Sequence, residues 1–140
     1  MASENVINRI HIVIPGVPVA RARPRFSKFG TYDKQRDVKE FYRLSILPQL
    51  PKGFEILQRP LSIRLIFEMP IPKGTSKKKS LNLIGSPHVK KPDIDNLYKM
   101  LDAYNGVLWM DDSQIHQVTM EKIYSENPKT NLIIEYEGDT

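Results

Sequence analysis

Asp93 and Asp95 stand one residue apart in the stretch KKPDIDNLYK (residues 90–99), and a second acidic pair, Asp111-Asp112, follows downstream. Carboxylates are ligands for hard cations. Mg²⁺ takes oxygen donors, keeps several waters and is held by one or two carboxylates plus substrate phosphate. Such a cation compensates the charge of a phosphodiester and activates a water to attack it. Each acidic pair also has a plainer explanation: Asp95 as a helix N-cap with Asp93 a solvated neighbour, and Asp111-Asp112-Ser113 as a turn. Their basic surroundings favour the chemical reading. Acids repel phosphate and do nothing for simple nucleic-acid binding, but with a cation among them they become a hydrolytic centre.

Those surroundings are specific. Residues 20–39 carry Arg21, Arg23, Arg25, Lys28, Lys34, Arg36 and Lys39 against only Asp33 and Asp37. Residues 73–91 carry Lys73, Lys77, Lys78, Lys79, Lys90 and Lys91 and no acid. Two cationic segments in a chain of net charge +5 are the footprint of a polyanion binder, or two solvated loops. No phosphate-cradling GxxxxGK loop is present, and an EF-hand loop fails because Tyr98 occupies the place of its glycine.

Spacing predicts how the acids are presented. Residues two apart on a helix point to nearly opposite sides. Asp93 and Asp95 therefore share a direction only on extended backbone, and Pro92 disfavours helix at Lys91. The expectation is an extended Asp93-Ile94-Asp95 with Ile94 inward. A helix then starts at Asp95 or Asn96 and runs to about Asn105. Leu97, Tyr98, Leu101 and Tyr104 form its apolar stripe, and Gly106 is its αL cap. Lys99, four residues after Asp95, is either a surface ion pair or the cation that steadies a scissile phosphate. Asp102 orients Lys99 or pairs at the surface, and Asn96 holds a carboxylate or caps the helix. Asp111 is a turn residue or a supporting acid. His88 and His116 read as structural or surface residues, and Trp109, in the apolar run VLWM, reads as core.

The supporting elements follow from periodicity. RIHIVIP (9–15) and LSIRLIFEM (61–69) alternate as strands, as do IHQVTMEKIY (115–124) and NLIIEY (131–136). After an irregular basic stretch, Asp33 is placed to cap a helix whose stripe is Val38, Phe41, Tyr42 and Ser45, stopped by Pro48 and Pro51. Residues 71–92 read as a long basic loop with Lys77–Lys79 mobile. The order β-α-β-α-β-β predicts an α/β (α+β) fold, a small mixed β-sheet packed with two main helices, in one domain over residues 1–140. The chain has no cysteine, no signal-like apolar segment and no run able to span a bilayer, so an intracellular, cytoplasmic protein is expected.

The run KKPDIDNLYKMLDAYNGVLWMDDSQI, with PGVPVARARPRF before it and SKKKS between, resembles the signature of RusA-type Holliday-junction resolvases, especially their prophage-encoded branch. The likeness extends from about Pro15 to Tyr124. It implies an Mg²⁺-dependent endonuclease that acts as a homodimer on four-way DNA junctions and nicks two opposed strands. Asp93, Asp95 and Asp112 match the family's essential acids and Lys99 its helix lysine. Lys90 and Lys91 match its basic residues only loosely, because Pro92 stands next to Asp93. Lys77, Lys78, Lys79, Arg21, Arg23 and Arg25 complete the expected DNA contacts. A second reading keeps the cations and drops the chemistry: a non-catalytic accessory protein that binds branched DNA.

Overall fold

The computed structural model of the chain describes residues 6–22, 25–27, 30–32 and 35–138, the two short runs by their main chain alone. Strands β1 (Ile7–Pro15), β4 (Leu61–Pro70), β5 (Ile115–Ser125) and β6 (Lys129–Glu137) form one sheet in the order β1-β6-β4-β5. Strands β2 (Arg25–Ser27) and β3 (Gly30–Tyr32) form a separate hairpin in the stretch expected to be irregular. Helices are α1 (Arg36–Ile46), α2 (Lys77–Leu83) and α3 (Ile94–Tyr98), the last continued by a 3-10 segment over Lys99–Tyr104. The fold is the expected mixed α+β domain with α1 and α3 as its two main helices, and among the described residues the short α2 is a third.

Alternation sets the sheet. Leu61, Ile63, Leu65, Phe67 and Met69 of β4 are all buried, as are Ile10, Ile12 and Ile14 of β1 and Leu132 and Ile134 of β6. The intervening residues face outward and pair across strands. Arg64 meets Glu121 at 3.3 Å, and the Asn131 amide donates to Glu68 at 2.6 Å. Strand β4 runs antiparallel to β6 and parallel to β5. A parallel pair requires a long crossover, and residues 71–114 are that crossover. They carry every acid and lysine singled out at residues 77–112.

Two expectations about the helices are corrected. On α1 the buried positions are Tyr42 and Ile46, whereas Phe41 is half exposed, so the stripe is rotated from the one expected. Asp33, proposed as its cap, lies outside the described residues; Gln35 precedes the first turn instead. Its side chain donates to Ala20 O and accepts from Ala22 N, both at 2.7 Å, and so ties the arm at residues 20–22 to the helix. The segment expected as a mobile loop contains α2. Ser76 caps it by accepting from Lys79 N at 3.2 Å, and straight-chain Lys and Leu residues supply helix propensity.

The core lies between the sheet and the α1/α3 layer. Leu97, Met100, Leu101, Ala103 and Tyr104 are buried there with Leu108 and Trp109. Trp109 is fully buried, packs edge-on against Tyr104 and donates from Nε1 to Asn105 Oδ1 at 2.8 Å. Asn105 and Gly106 occupy a tight turn closed by Val107 N donating to Tyr104 O at 2.9 Å, and the turn uses a positive φ of 80° at Gly106. Burial of this size also raises the pKa of the Tyr104 and Tyr42 hydroxyls.

Candidate active site at the entry to the third helix

Asp93 is the N-cap residue of α3, in extended conformation (φ −66°, ψ 144°), and Ile94 is already the first helical residue. This corrects the expectation of extended backbone through Asp95. Asp95 sits in the first turn, where the helix dipole favours an anion. Ile94 packs against the core as expected. The helix begins early because Asn96 N and Leu97 N both bond to Asp93 O, at 3.1 and 3.3 Å.

Asp93 makes no side-chain capping hydrogen bond to its helix, although it holds the position at which aspartate ordinarily does so. Its carboxylate and that of Asp95 open onto a shallow depression shared with His88, Lys90, Lys91 and Lys122. Lys99 Nζ lies 3.7 Å from Asp95 Oδ2, with both side chains more than half exposed, so the ion pair is screened and weak. Lys99 also donates to Asn96 Oδ1 at 3.5 Å.

The second acidic pair divides its labour. Asp111 Oδ2 accepts from Ser113 N at 3.0 Å, and Gln114 Oε1 accepts from Asp111 N at 2.9 Å, a reciprocal capping box. The Ser113 hydroxyl first, and then its main-chain N, lower the Asp111 pKa by hydrogen bonding. Asp111 is thus the turn residue. The Asp112 carboxylate has no hydrogen bond or ion pair among the described residues, whereas its main-chain O accepts from Ile115 N. It lines a 280 Å³ cavity with Arg21, Tyr98, Lys99, Leu101, Asp102 and Ile115. Burial, and then the Asp112 charge, raise the pKa of the Tyr98 phenol. Lys99 joins the two places: it pairs with Asp95 and lines the cavity of Asp112. Among the described residues no set of three His, Asp or Glu side chains is arranged to hold one metal ion.

The family model for endodeoxyribonuclease RusA matches residues 15–135. The chain belongs to the RusA endodeoxyribonuclease family. The "Uncharacterized protein YqaN" of Bacillus subtilis (strain 168) is 32% identical over 137 residues, covering 89% of this chain and 94% of the relative. In this RusA-family chain, the resemblance and the structure meet at the same crossover between β4 and β5.

The expected cations fall into three groups. Lys90 and Lys91 are exposed beside Asp93 and Asp95, and Lys79 of α2 lines a further depression with Lys90 and Tyr124. Lys77 and Lys78 are exposed on the first turn of α2. Arg21 is held inward: its main-chain N donates to Asn96 O at 2.8 Å, and its guanidinium lies 3.6 Å from Asp102 Oδ2 with a fifth of the side chain exposed. Arg23 lies outside the described residues, and of Arg25 only the main chain in β2 is described.

Sequence reasoning left Asp102 between two roles and missed Lys122. Asp102 pairs with Arg21 and also with Lys39 of α1, at 3.6 Å each, so it gathers two cations at the cavity of Asp112 instead of orienting Lys99. The only signal was a family-like Leu-Asp-Ala stretch. Lys122 lies beneath the Lys90–Pro92 main chain, and its signal was a charge at an inward position of β5, in step with Val118, Met120 and Tyr124.

His88 is buried against Tyr124, the ring centroids 4.8 Å apart, and is structural. Burial, then the positive charges of Lys122 and Lys90, lower its pKa, only partly opposed by its own main chain. The unfolded chain therefore takes up this proton at higher pH than the folded one. Stability is full above the ordinary histidine range near 6.5 and declines as pH falls through it. Denaturant unfolding at several pH values is expected to show this decline in wild type and a shallower one in His88→Phe, which keeps a ring on Tyr124. Equal slopes would mean that His88 does not carry the effect.

Proposed function

We propose that this chain is an Mg²⁺-dependent endodeoxyribonuclease that resolves four-way DNA junctions by paired symmetric nicks as a homodimer in the cytoplasm. The observation that carries this reading is Asp93, a carboxylate at a capping position that does not cap. Its oxygens stay available beside Asp95, within a rim of lysines. Asp112, next to a neighbour that has taken over the turn, is available in the same way.

The donor set fits a hard cation. Asp93, Asp95 and Asp112 supply exposed carboxylate oxygens, and the chain has no cysteine whose thiolate could compete with them. Mg²⁺ needs only one or two protein carboxylates, with water and phosphate filling its other positions. Bound there, it supplies charge compensation and an activated water. The protein's own groups do the rest. Asp93 and Asp95 fix the donors at a rigid helix entry. Lys99, between the two acidic places, stabilises the charge that grows on the phosphate. Lys90, Lys91 and Lys77–Lys79 hold the DNA backbone, and Arg21 does so from its Asp102 pairing. A two-fold dimer matches a nearly two-fold junction, which accounts for paired nicks geometrically.

The test is an immobile four-way junction incubated with the protein, with Mg²⁺ or with EDTA, comparing wild type with Asp95→Asn. Mg²⁺-dependent nicking by wild type alone is the expected result. Junction binding without nicking by wild type would instead make the protein a branched-DNA-binding accessory, and equal nicking by the variant would remove Asp95 from the mechanism.

A further inference from the structure

Residues 85–88 run along the open edge of β5 and are stitched to it by main-chain bonds. Gly85 N donates to Tyr124 O at 2.8 Å, Tyr124 N to Ser86 O at 3.0 Å and His88 N to Lys122 O at 3.0 Å. The stitching then stops. Among the described residues, Val89 to Pro92 make no main-chain to main-chain hydrogen bond. Among the described residues, the side-chain hydrogen bonds that reach this run come from Lys122. Lys122 Nζ donates to Lys90 O at 2.6 Å and to Pro92 O at 2.7 Å. The second acceptor is the carbonyl bonded directly to the nitrogen of Asp93.

A lysine in this place has a cost. Lys122 occupies an inward position of its strand, where Val118 and Met120 pack on the core. A half-buried ammonium is best tolerated where its donors find acceptors, and here two main-chain carbonyls take two of its three N–H groups. The same bonds are charge-assisted and therefore stronger than neutral ones. The depression that Lys122 lines is the one onto which Asp93 and Asp95 open.

We infer that Lys122 is a positioning residue: its ammonium clamps the Lys90–Pro92 main chain to β5 and thereby fixes where the Asp93 and Asp95 carboxylates stand. The inference rests on the proposed nuclease reading for its catalytic consequence, but not for the clamp itself. Lys122→Met keeps length and apolar stem while stranding both carbonyls, and Lys122→Arg keeps the charge and donors.

Two measurements test it. The first is amide hydrogen exchange of the metal-free protein. In Lys122→Met the amides of Asn96 and Leu97, which bond to Asp93 O at the helix entry, are expected to exchange at least about tenfold faster, while those of β4 and β6 keep their protection, and Lys122→Arg lies between. Unchanged protection of Asn96 and Leu97 overturns the clamp, and loss of protection throughout the sheet shows a general folding role and overturns it equally. The second is nicking at saturating junction. Lys122→Met is expected to bind the junction in EDTA as wild type does, to nick about tenfold more slowly, and to need more Mg²⁺ for half-maximal rate. Partial rescue in Lys122→Arg is part of that expectation. An unchanged rate and Mg²⁺ requirement would show that the clamp does not position the acids. If wild type itself fails to nick, the nuclease reading is what has failed, and the exchange measurement still decides the clamp.

Discussion

Asp112→Asn is expected to lose junction nicking by at least about a hundredfold, whereas Asp111→Asn, one residue away, nicks like wild type. The two substitutions are isosteric, and each removes one negative charge, so any difference between them reports role rather than net charge. Asp111 spends its carboxylate on Ser113 N within a capping box. Asparagine caps about as well as aspartate, so the turn survives. The Asp112 carboxylate makes no bond among the described residues, and its value lies in what it offers the cavity it shares with Arg21, Tyr98, Lys99 and Asp102. Loss of groups that merely support metal ligands typically costs 10–100-fold, so loss of a ligand itself is expected to reach at least about the upper end. Junction binding in EDTA should be unchanged or tighter in Asp112→Asn, because a charge that repels phosphate has gone. Time courses of nicking and binding titrations for the two variants are the measurement. Similar activities would remove Asp112 from the mechanism.

Trp109→Ala is expected to destabilise the chain by about 3–5 kcal/mol, the usual loss for deleting a large buried aromatic side chain. Small domains have about 5–15 kcal/mol in all, so this variant stands near the limit of folding. The side chain is fully buried, meets Tyr104 edge-on and donates to Asn105 Oδ1. Its removal leaves a cavity and strands the Asn105 oxygen beside the turn at Gly106. That turn leads directly to Asp111 and Asp112. Trp109→Phe restores most of the volume but not the hydrogen bond, and should lose distinctly less. Denaturant unfolding of the three proteins gives the comparison. A variant as stable as wild type would contradict the core placement.

Much of the fold was legible because burial and strand geometry leave the same mark on the sequence. Ile10, Ile12 and Ile14, and Leu61 through Met69, repeat every two residues because one face of each strand is buried. Helix geometry was less legible. The 100° step of a helix lets Phe41 or Ile46 complete a stripe with Val38 and Tyr42, and only the packing of α1 on β1 and on the 3-10 segment selected Ile46. Helix α2 was hidden for another reason. Three consecutive lysines suggest repulsion and mobility, but the helix needs only a capping Ser76 and exposed positions where the charges stay hydrated.

The sequence by itself determined the strand faces, the basic character of the chain, and the set of acids to suspect, through residue types, spacing and family resemblance. It also separated Asp111 from Asp112 in favour of the second. Only the tertiary structure decided that Asp93 sits at a cap without capping, that Asp95 is already helical, and that Asp112 opens onto a cavity with Asp102 and Arg21. It alone brought Lys122 under Pro92, 30 residues away in the chain. The reason is physical. Local spacing fixes the direction of a side chain only relative to its own element, while the partners of Asp102 and Lys122 come from α1, from the arm before it and from the middle of a parallel crossover. Loop closure over such separations leaves no periodic trace in the sequence.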